Sequence, residues 1–252
     1  MAEKIFVPND TWYRKFVNTL KSNYALLVLA KLLNPGRRVE INNIERDLKK
    51  PDARNDVILD VGCGDGYWTR YFSKYVTRAY GIEPYEVDLK KAQKYANPRT
   101  EFVGGTAEKM AFNDGTFNKV VSVCVFEHLY NDVEAFREFN RILKPNGSVH
   151  ATVDSLQSPY VTAEHTKWHM DACYCKQLYT TESITEKLKR AGFRNVEAYY
   201  ILGSRISVFW EVTMEKMGVF AFFMLPFFYP AILLLERKPR TSGYKIFVKA
   251  TK

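Results

Sequence analysis

The sequence predicts an α/β fold in which helices cover both faces of an open, doubly wound sheet. Two observations lead to this prediction. Residues 57–61 form a short apolar run typical of a buried strand, and a glycine-rich turn over residues 62–66 follows directly. Along residues 56–154, strand-like apolar runs then alternate with amphipathic helical patterns, which is the order expected of a largely parallel sheet.

The turn after the first strand is suited to close contact with a ligand. Glycines at positions 62, 64 and 66 can adopt positive φ and lack a Cβ atom, so the backbone can approach a bound molecule. Asp60 precedes the turn, and Glu83 ends the next predicted strand, about twenty residues further on. A carboxylate at that place can accept hydrogen bonds from both hydroxyls of a ribose. The pattern therefore predicts a nucleotide-binding corner.

The remaining elements follow in chain order. They are a helix over 67–75, a third strand around 102–103, a fourth strand over 118–126, a helix over 132–143, a fifth strand over 148–153, a helix over 181–191 and two last strands over 196–201 and 244–250. Either Thr180 or Thr181 caps the helix over 181–191. We expect one domain over 1–252. Its parts are a helical lead-in over 1–50, a nucleotide-binding half over 56–154, an irregular link and helix over 155–195 and a hydrophobic insert over 203–240.

Five motifs occur in order over roughly residues 55–155. They are LDVGCGDG at 59–66, GIEP at 81–84, TAEKMAF at 106–112, VFEHL at 125–129 and RILKPNG at 141–147. With them the chain resembles the class I S-adenosylmethionine-dependent methyltransferases, in the type 11 branch that acts on small molecules. The resemblance implies a Rossmann-like, seven-stranded sheet with an antiparallel last strand. It also implies S-adenosylmethionine as cofactor and S-adenosylhomocysteine as product.

The resemblance further implies which residues hold the cofactor. Those expected at its methionine end are Asp60, Gly62, Cys63, Gly64 and Tyr67. Those expected around its ribose and adenine are Glu83, Pro84, Ala107, Glu108 and Val125. Many relatives have an aspartate where this chain has Thr106, so Glu108 or a backbone oxygen would replace it as the contact to the adenine amino group.

The candidate catalytic residues follow the fourth strand. An oxygen or enol-carbon acceptor needs a general base, and His128 lies at the carboxyl edge of the sheet, where ligands bind. An equally good alternative is a structural role, in which His128 hydrogen-bonds a neighbouring loop and takes no part in catalysis. Glu127 could be its partner or a charge at the start of a helix. We expect His150, at the start of a predicted core strand, to have a packing role.

The link over 155–195 carries the candidate substrate-pocket residues. His165, His169 and Cys173 are spaced four apart and would share one helix face, which suggests a zinc site. The Cys-x-Cys spacing of Cys173 and Cys175 is atypical of common zinc sites, and the resembled family needs no metal, so we expect none. The residues expected to line or cover the acceptor pocket are Tyr160, His165, Trp168, His169 and Arg205. Arg205 could equally be a solvated surface residue.

Residues 217–235 contain no charged side chain and reach the length of about 18–20 residues that a membrane-spanning helix needs. Pro226 and Pro230 would interrupt such a helix, and one span would separate the strand over 244–250 from its sheet. Two alternatives remain: a buried lid or dimer surface, or a hairpin that enters one leaflet. Basic residues flank the run and favour contact with an anionic membrane, since each adds about 1 kcal/mol there.

Composition limits the partners. The net charge of +9 indicates an anionic partner, which could be phospholipid, nucleic acid or a phosphorylated substrate. Four cysteines without a small-domain framework argue against a disulfide-built secreted protein, and no signal peptide is evident. We therefore expect a cytoplasmic enzyme, either free or peripheral at the cytoplasmic face of a membrane. Its oligomeric state is open, with a dimer as one option.

Three function hypotheses follow. The first is methylation of a small hydrophobic or membrane-linked metabolite, such as a lipid, quinone, isoprenoid, polyketide or lipid-carried glycan. The second is methylation of RNA or protein. RNA nitrogen methyltransferases usually have an Asn/Asp-Pro-Pro-Tyr sequence after the fourth strand, whereas this chain has Phe-Glu-His-Leu, which argues against nucleic acid. The third is a non-catalytic, cofactor-binding scaffold. The first is favoured, with the acceptor atom (oxygen, carbon or nitrogen) open.

Overall fold

A computed structural model describes residues 24–217 and 224–252, so the predicted start of the lead-in and part of the apolar run lie outside the described residues. Its strands are β1 Val57–Val61, β2 Arg78–Glu83, β3 Thr100–Gly104, β4 Phe117–Val123, β5 Leu143–Gln157, β6 Arg194–Ile201 and β7 Gly243–Thr251. They form one seven-stranded sheet in the order β3-β2-β1-β4-β5-β7-β6. Strand β7 runs antiparallel to both β5 and β6, and the pairs among β1 to β5 are parallel. The predicted fold class is confirmed.

Helices cover both faces of this sheet. They are α1 Tyr24–Leu33, α2 Pro35–Leu48, α3 Tyr67–Phe72, α4 Glu86–Lys94, α5 Asp132–Ile142, α6 Ala163–Ala172, α7 Thr181–Arg190, α8 Arg205–Met217 and α9 Leu225–Leu235. Helices α5 and α7 pack on one face through residues such as Phe139 and Leu188. Helices α2, α3, α8 and α9 pack on the other face through residues such as Ile44, Trp210 and Ile232.

Local sequence explains where the helices begin. Asn34 separates α1 from α2 and its side chain accepts a hydrogen bond from the Arg37 N–H at 3.2 Å, which caps α2. Pro35 occupies the first turn of α2, where a backbone N–H has no partner inside the helix. Thr180 rather than Thr181 caps α7, because it exchanges hydrogen bonds with Ser183 in a capping box.

Several predicted boundaries were wrong. Strand β4 ends at Val123 rather than at 126, because the chain turns at Cys124 with φ +53°. Helix α3 ends at Phe72 rather than at 75. The link is not irregular throughout, since β5 continues to Gln157 and α6 follows. Pairing with β7 as far as Gly243 extends β5, and this long-range contact has no local sequence signal.

The described part of the apolar run is a helix that packs on the domain. Helix α9 lies against α2 and α8, and Phe228 on α9 packs 5.6 Å from the ring of Phe209 on α8. Pro226 falls in the first turn, but Pro230 lies inside the helix, so the expected second break does not occur. Within residues 24–217 and 224–252, no helix is both long and apolar enough to cross a membrane.

The packing of α9 predicts unequal effects for two neighbouring substitutions. Ile232 is fully buried and Leu234 is 59% exposed. Ile232→Ala should lower the free energy of unfolding by about 2–5 kcal/mol, because it removes buried methyl groups and leaves a cavity. Leu234→Ala should change it by less than about 0.5 kcal/mol. Urea unfolding of both variants measures this, and equal effects would show that α9 does not pack on the domain.

Candidate active site

The turn after β1 holds the backbone close to β2 and to the segment after β4. Gly62 has φ +69°, and a Cβ atom there would lie 2.5 Å from the Val125 side chain. The N–H groups of Gly62 and Cys63 both donate to the Ile82 carbonyl, at 3.0 and 3.1 Å. At Gly64, with φ +55°, no atom of the described residues lies within 4 Å of where a Cβ would be. The turn is therefore fixed on one side and open at Gly64.

Two buried carboxylates flank the turn. Asp60, near the end of β1, accepts a hydrogen bond from the Thr69 hydroxyl at 2.6 Å, and burial raises the pKa of Asp60 to about 7. Glu83, the last residue of β2, accepts hydrogen bonds from the N–H groups of Gly64 at 2.9 Å and Tyr85 at 3.1 Å. Burial raises the pKa of Glu83, although both N–H groups act in the opposite direction. Together they place carboxyl oxygens that can accept hydrogen bonds beside the glycine turn.

One ion pair at the turn was not predicted. The Lys31 ammonium on α1 lies 2.7 Å from both carboxylate oxygens of Asp65 and 5.6 Å from the centre of the Tyr67 ring. This contact joins α1 to the glycine turn. Its only sequence signal is that Lys31 is the single charged residue in the apolar run of α1.

The residues expected at the adenine lie beyond β2 and β3. Ala107 is buried and Glu108 half-buried, within a turn closed by a bridge between Thr106 and Lys109. Pro84 directly follows β2 and is exposed. The predicted cofactor residues therefore gather at the carboxyl ends of adjacent parallel strands, where open α/β sheets bind ligands. The open backbone at Gly64 and the acceptor oxygens of Glu83 fit S-adenosylmethionine.

The two candidate catalytic residues face different surroundings. His128 is exposed, yet desolvation by nearby residues lowers the pKa of its ring below the ordinary value, which favours the neutral form. Glu127 is fully buried, and burial together with the charge of Asp154 raises the pKa of its carboxyl well above the usual range. Neither oxygen of Glu127 makes a well-formed hydrogen bond to a described residue, so the expected pairing with His128 is not seen.

A buried polar network lies behind this edge of the sheet. The Lys245 ammonium on β7 lies 2.6 Å from Asp154 on β5. His169 on α6 contacts Asp154 through Nε2 and Glu215 on α8 through Nδ1, both at 3.0 Å. Burial alone would raise the pKa of Glu215, but hydrogen bonds from His165 and His169 lower it to about 2. His169 is therefore held inside the protein on both sides.

The other predicted pocket residues are divided between interior and surface. His165 is buried and its Nε2 lies 2.7 Å from the Tyr244 hydroxyl. Trp168 stacks on the His165 ring at 5.7 Å and is partly exposed. Tyr160 and Arg205 are exposed. The expected packing role of His150 agrees with its full burial. Among the predicted pocket residues, the structure brings together His165, Trp168 and His169.

Comparison with known proteins identifies the domain. A family model for a methyltransferase domain matches residues 59–151. The sterol 24-C-methyltransferase of Kluyveromyces lactis is 27% identical over 154 residues, which are 57% of this chain and 42% of that enzyme. The ubiquinone biosynthesis O-methyltransferase of Roseobacter denitrificans is 24% identical over 75% of this chain and 82% of its own length. The chain thus spans less than half of the Kluyveromyces enzyme.

Solved structures agree on the fold. Phosphoethanolamine N-methyltransferase 2 of Haemonchus contortus, in complex with S-adenosylmethionine, superposes with a TM-score of 0.64 at 18% identity. The match covers 98% of this chain and 61% of that one. The family match over residues 59–151 therefore places this part of the chain in the type 11 methyltransferase family, and the solved structure shares its fold.

The position of Glu83 predicts the effect of one substitution on cofactor affinity. Glu83→Gln should weaken S-adenosylmethionine binding roughly 10- to 100-fold, because hydrogen bonds to a charged group contribute about 1.5–3 kcal/mol. Glu86→Gln, three residues later on exposed α4, is the matched control and should leave affinity unchanged. Isothermal titration calorimetry measures both. Equal affinities of wild type and Glu83→Gln would exclude Glu83 from the site.

Proposed function

We propose that the chain transfers a methyl group from S-adenosylmethionine to a small, hydrophobic or membrane-linked acceptor. The observation that carries the proposal is the open backbone at Gly64, with Asp60 and Glu83 buried on either side of it. This arrangement lies within the residues that match the methyltransferase family. When bound, S-adenosylmethionine supplies a methyl group on a positively charged sulfur.

The proposal gives each cofactor residue a task. Glu83 accepts hydrogen bonds from the ribose hydroxyls, since its two N–H contacts leave lone pairs free. Asp60 and the turn through Gly64 hold the methionine end, with Lys31 and Asp65 keeping α1 over the turn. Fixing the reactants in one alignment can contribute roughly 7–11 kcal/mol to catalysis.

His128 is the proposed general base. It follows β4 at the carboxyl edge, it is exposed, and its lowered pKa keeps the ring neutral and able to accept a proton at neutral pH. For an oxygen or enol-carbon acceptor, His128→Ala should lower kcat by about 10²–10⁴-fold and leave cofactor affinity unchanged.

Relatives and surface together support a lipophilic acceptor. The names of two relatives state a sterol substrate and a role in ubiquinone biosynthesis. On this chain, α9 presents Phe227, Pro230 and Leu234 to solvent, at a spacing that places them on one helix face. Phe227 is 80% exposed, and Phe209 on the adjacent α8 is 52% exposed. We call Phe209, Phe227 and Leu234 the apolar patch.

Charge near the apolar patch supports an anionic membrane as its partner. Lys216 lies in the last turn of α8, Arg237 and Lys238 follow α9, and all three are exposed. The chain as a whole carries a net charge of +9. Apolar side chains beside basic residues favour the surface of an anionic bilayer, where the two attractions add. The domain would there reach an acceptor dissolved in or attached to the membrane.

The acceptor class can be tested in an extract of the source cells. Radiolabelled S-adenosylmethionine and purified protein should place the label in material that partitions into organic solvent. The matched control is Glu83→Gln at a cofactor concentration that leaves it mostly unbound. Label confined to RNA or protein would contradict the proposed acceptor, and no label above the control would contradict methyl transfer to any component of the extract.

If the apolar patch contacts a membrane, substitutions at two exposed apolar residues should affect vesicle binding differently. Wild type should float with phosphatidylglycerol-containing vesicles and not with pure phosphatidylcholine. Phe227→Asp should lower the partition coefficient at least about tenfold, because a buried phenylalanine contributes roughly 2–3 kcal/mol. Val87→Asp, at a position on α4 that is 69% exposed, is the control and should bind like wild type. Equal binding of both variants, or no binding by wild type, would contradict the proposal.

A further inference from the structure

Three side chains that commonly bind metals meet behind the β4–β5 edge. Asp154 lies on β5, His169 on α6 and Cys175 in the loop after α6. All three are buried, and one ligand atom of each, an oxygen, a nitrogen and a sulfur, lies within 4.8 Å of the other two. Asp154 Oδ2 and His169 Nε2 are 3.0 Å apart. The sequence separates Asp154 from the other two, so local spacing does not reveal the group.

A further buried carboxyl group lies next to Asp154. Glu127 is fully buried, and neither of its oxygens has a well-formed hydrogen bond to any described residue. One of these oxygens lies within 4.8 Å of an Asp154 oxygen and of the Cys124 sulfur. The Glu127 carbonyl accepts the Lys176 N–H at 2.7 Å, which fixes the segment next to Cys175. A buried carboxylate is costly without a neighbouring positive charge, so an ion bound at Asp154 would stabilise Glu127 as well.

The charges of the cluster also favour a divalent cation. Asp154, a Cys175 thiolate and Glu215, which contacts His169, would carry three negative charges. Lys245, 2.6 Å from Asp154 Oδ1, supplies one positive charge. A divalent ion would therefore bring the cluster to neutrality, and Lys245 would remain hydrogen-bonded to the other oxygen of a ligand. Hydrogen bonds of this kind to ligand carboxylates orient them in protein metal sites.

We propose that Asp154, His169 and Cys175 bind a divalent transition metal. The combination of sulfur, imidazole nitrogen and carboxylate oxygen suits Zn²⁺ and does not suit Mg²⁺ or Ca²⁺. The ion would tie α6 and the loop after it to β5. This inference goes beyond the proposed methyl transfer and does not depend on it.

The proposed ligands differ from those that the sequence suggested. Sequence spacing groups His165, His169 and Cys173, and the overall expectation was no metal. In the structure, the Cys173 sulfur lies 3.9 Å from His169 Nδ1, the nitrogen that also contacts Glu215. The proposed ion instead uses Nε2, on the opposite side of the ring. Cys173 is therefore a matched control for Cys175.

The test is titration of the chelator-treated full chain with Co²⁺, followed by absorption spectroscopy. One equivalent should bind and give a sulfur-to-cobalt charge-transfer band in the near ultraviolet, which Zn²⁺ should then remove. Cys175→Ser should lose the band and Cys173→Ser should keep it.

Two results would overturn the site. One is a wild-type chain that binds no stoichiometric Co²⁺, a result that needs no variant to fold. The other is a band that Cys173→Ser loses and Cys175→Ser keeps. Thermal unfolding of each variant serves as the folding control. None of these measurements depends on methyl transfer, so failure of this site and failure of the proposed function are distinguishable.

Discussion

The buried ion pair between Lys245 and Asp154 organises the side of the molecule that faces the carboxyl edge of the sheet. The Lys245 ammonium group lies 2.6 Å from Asp154, 3.1 Å from the Cys124 sulfur and 4.0 Å from Glu40 on α2. Because breaking a buried pair leaves one charge unpaired, at a cost of about 3–5 kcal/mol, these elements are bound to one arrangement. The antiparallel position of β7 is what delivers Lys245 to this place.

From Asp154 the same network continues outward to the covering helices. His169 joins Asp154 to Glu215, and the Tyr244 hydroxyl on β7 donates to Glu215 at 2.8 Å. Helices α6 and α8 are thus attached to the sheet by polar contacts, whereas α9 is attached by apolar ones. As a result, charged groups lie in the interior beside the proposed acceptor site, and the apolar patch lies on the surface. In the proposed function, the patch meets the membrane while the interior fixes the edge where His128 lies.

Local sequence was enough to predict the sheet and the cofactor corner. A buried strand must be apolar, and a turn such as the one at Gly62, where a Cβ would lie 2.5 Å from Val125, requires glycine. Both requirements are met within a few residues and so are visible in the sequence. The fold class, the family and the cofactor were confirmed for this reason, while the roles of individual site residues remain predictions.

The rest depends on contacts between distant parts of the chain. Asp154 and Lys245 are 91 residues apart, and Lys31 and Asp65 are 34 apart. Neither pair has a periodicity that would mark its members as partners. The wrong boundary at β5 has the same origin, since β7 sets its length. From local sequence alone, residues 155–157 resemble a loop, because their pairing with β7 is not visible there.

Hydrogen–deuterium exchange with and without S-adenosylhomocysteine would test the central claim, that this edge of the sheet binds the cofactor. We expect protection from exchange over residues 62–66, 83–85, 106–109 and 125–128, because these segments lie at or just after the carboxyl ends of β1, β2, β3 and β4, at one edge of the sheet. No protection on adding the nucleoside, or protection elsewhere while these four segments exchange as before, would contradict the claim.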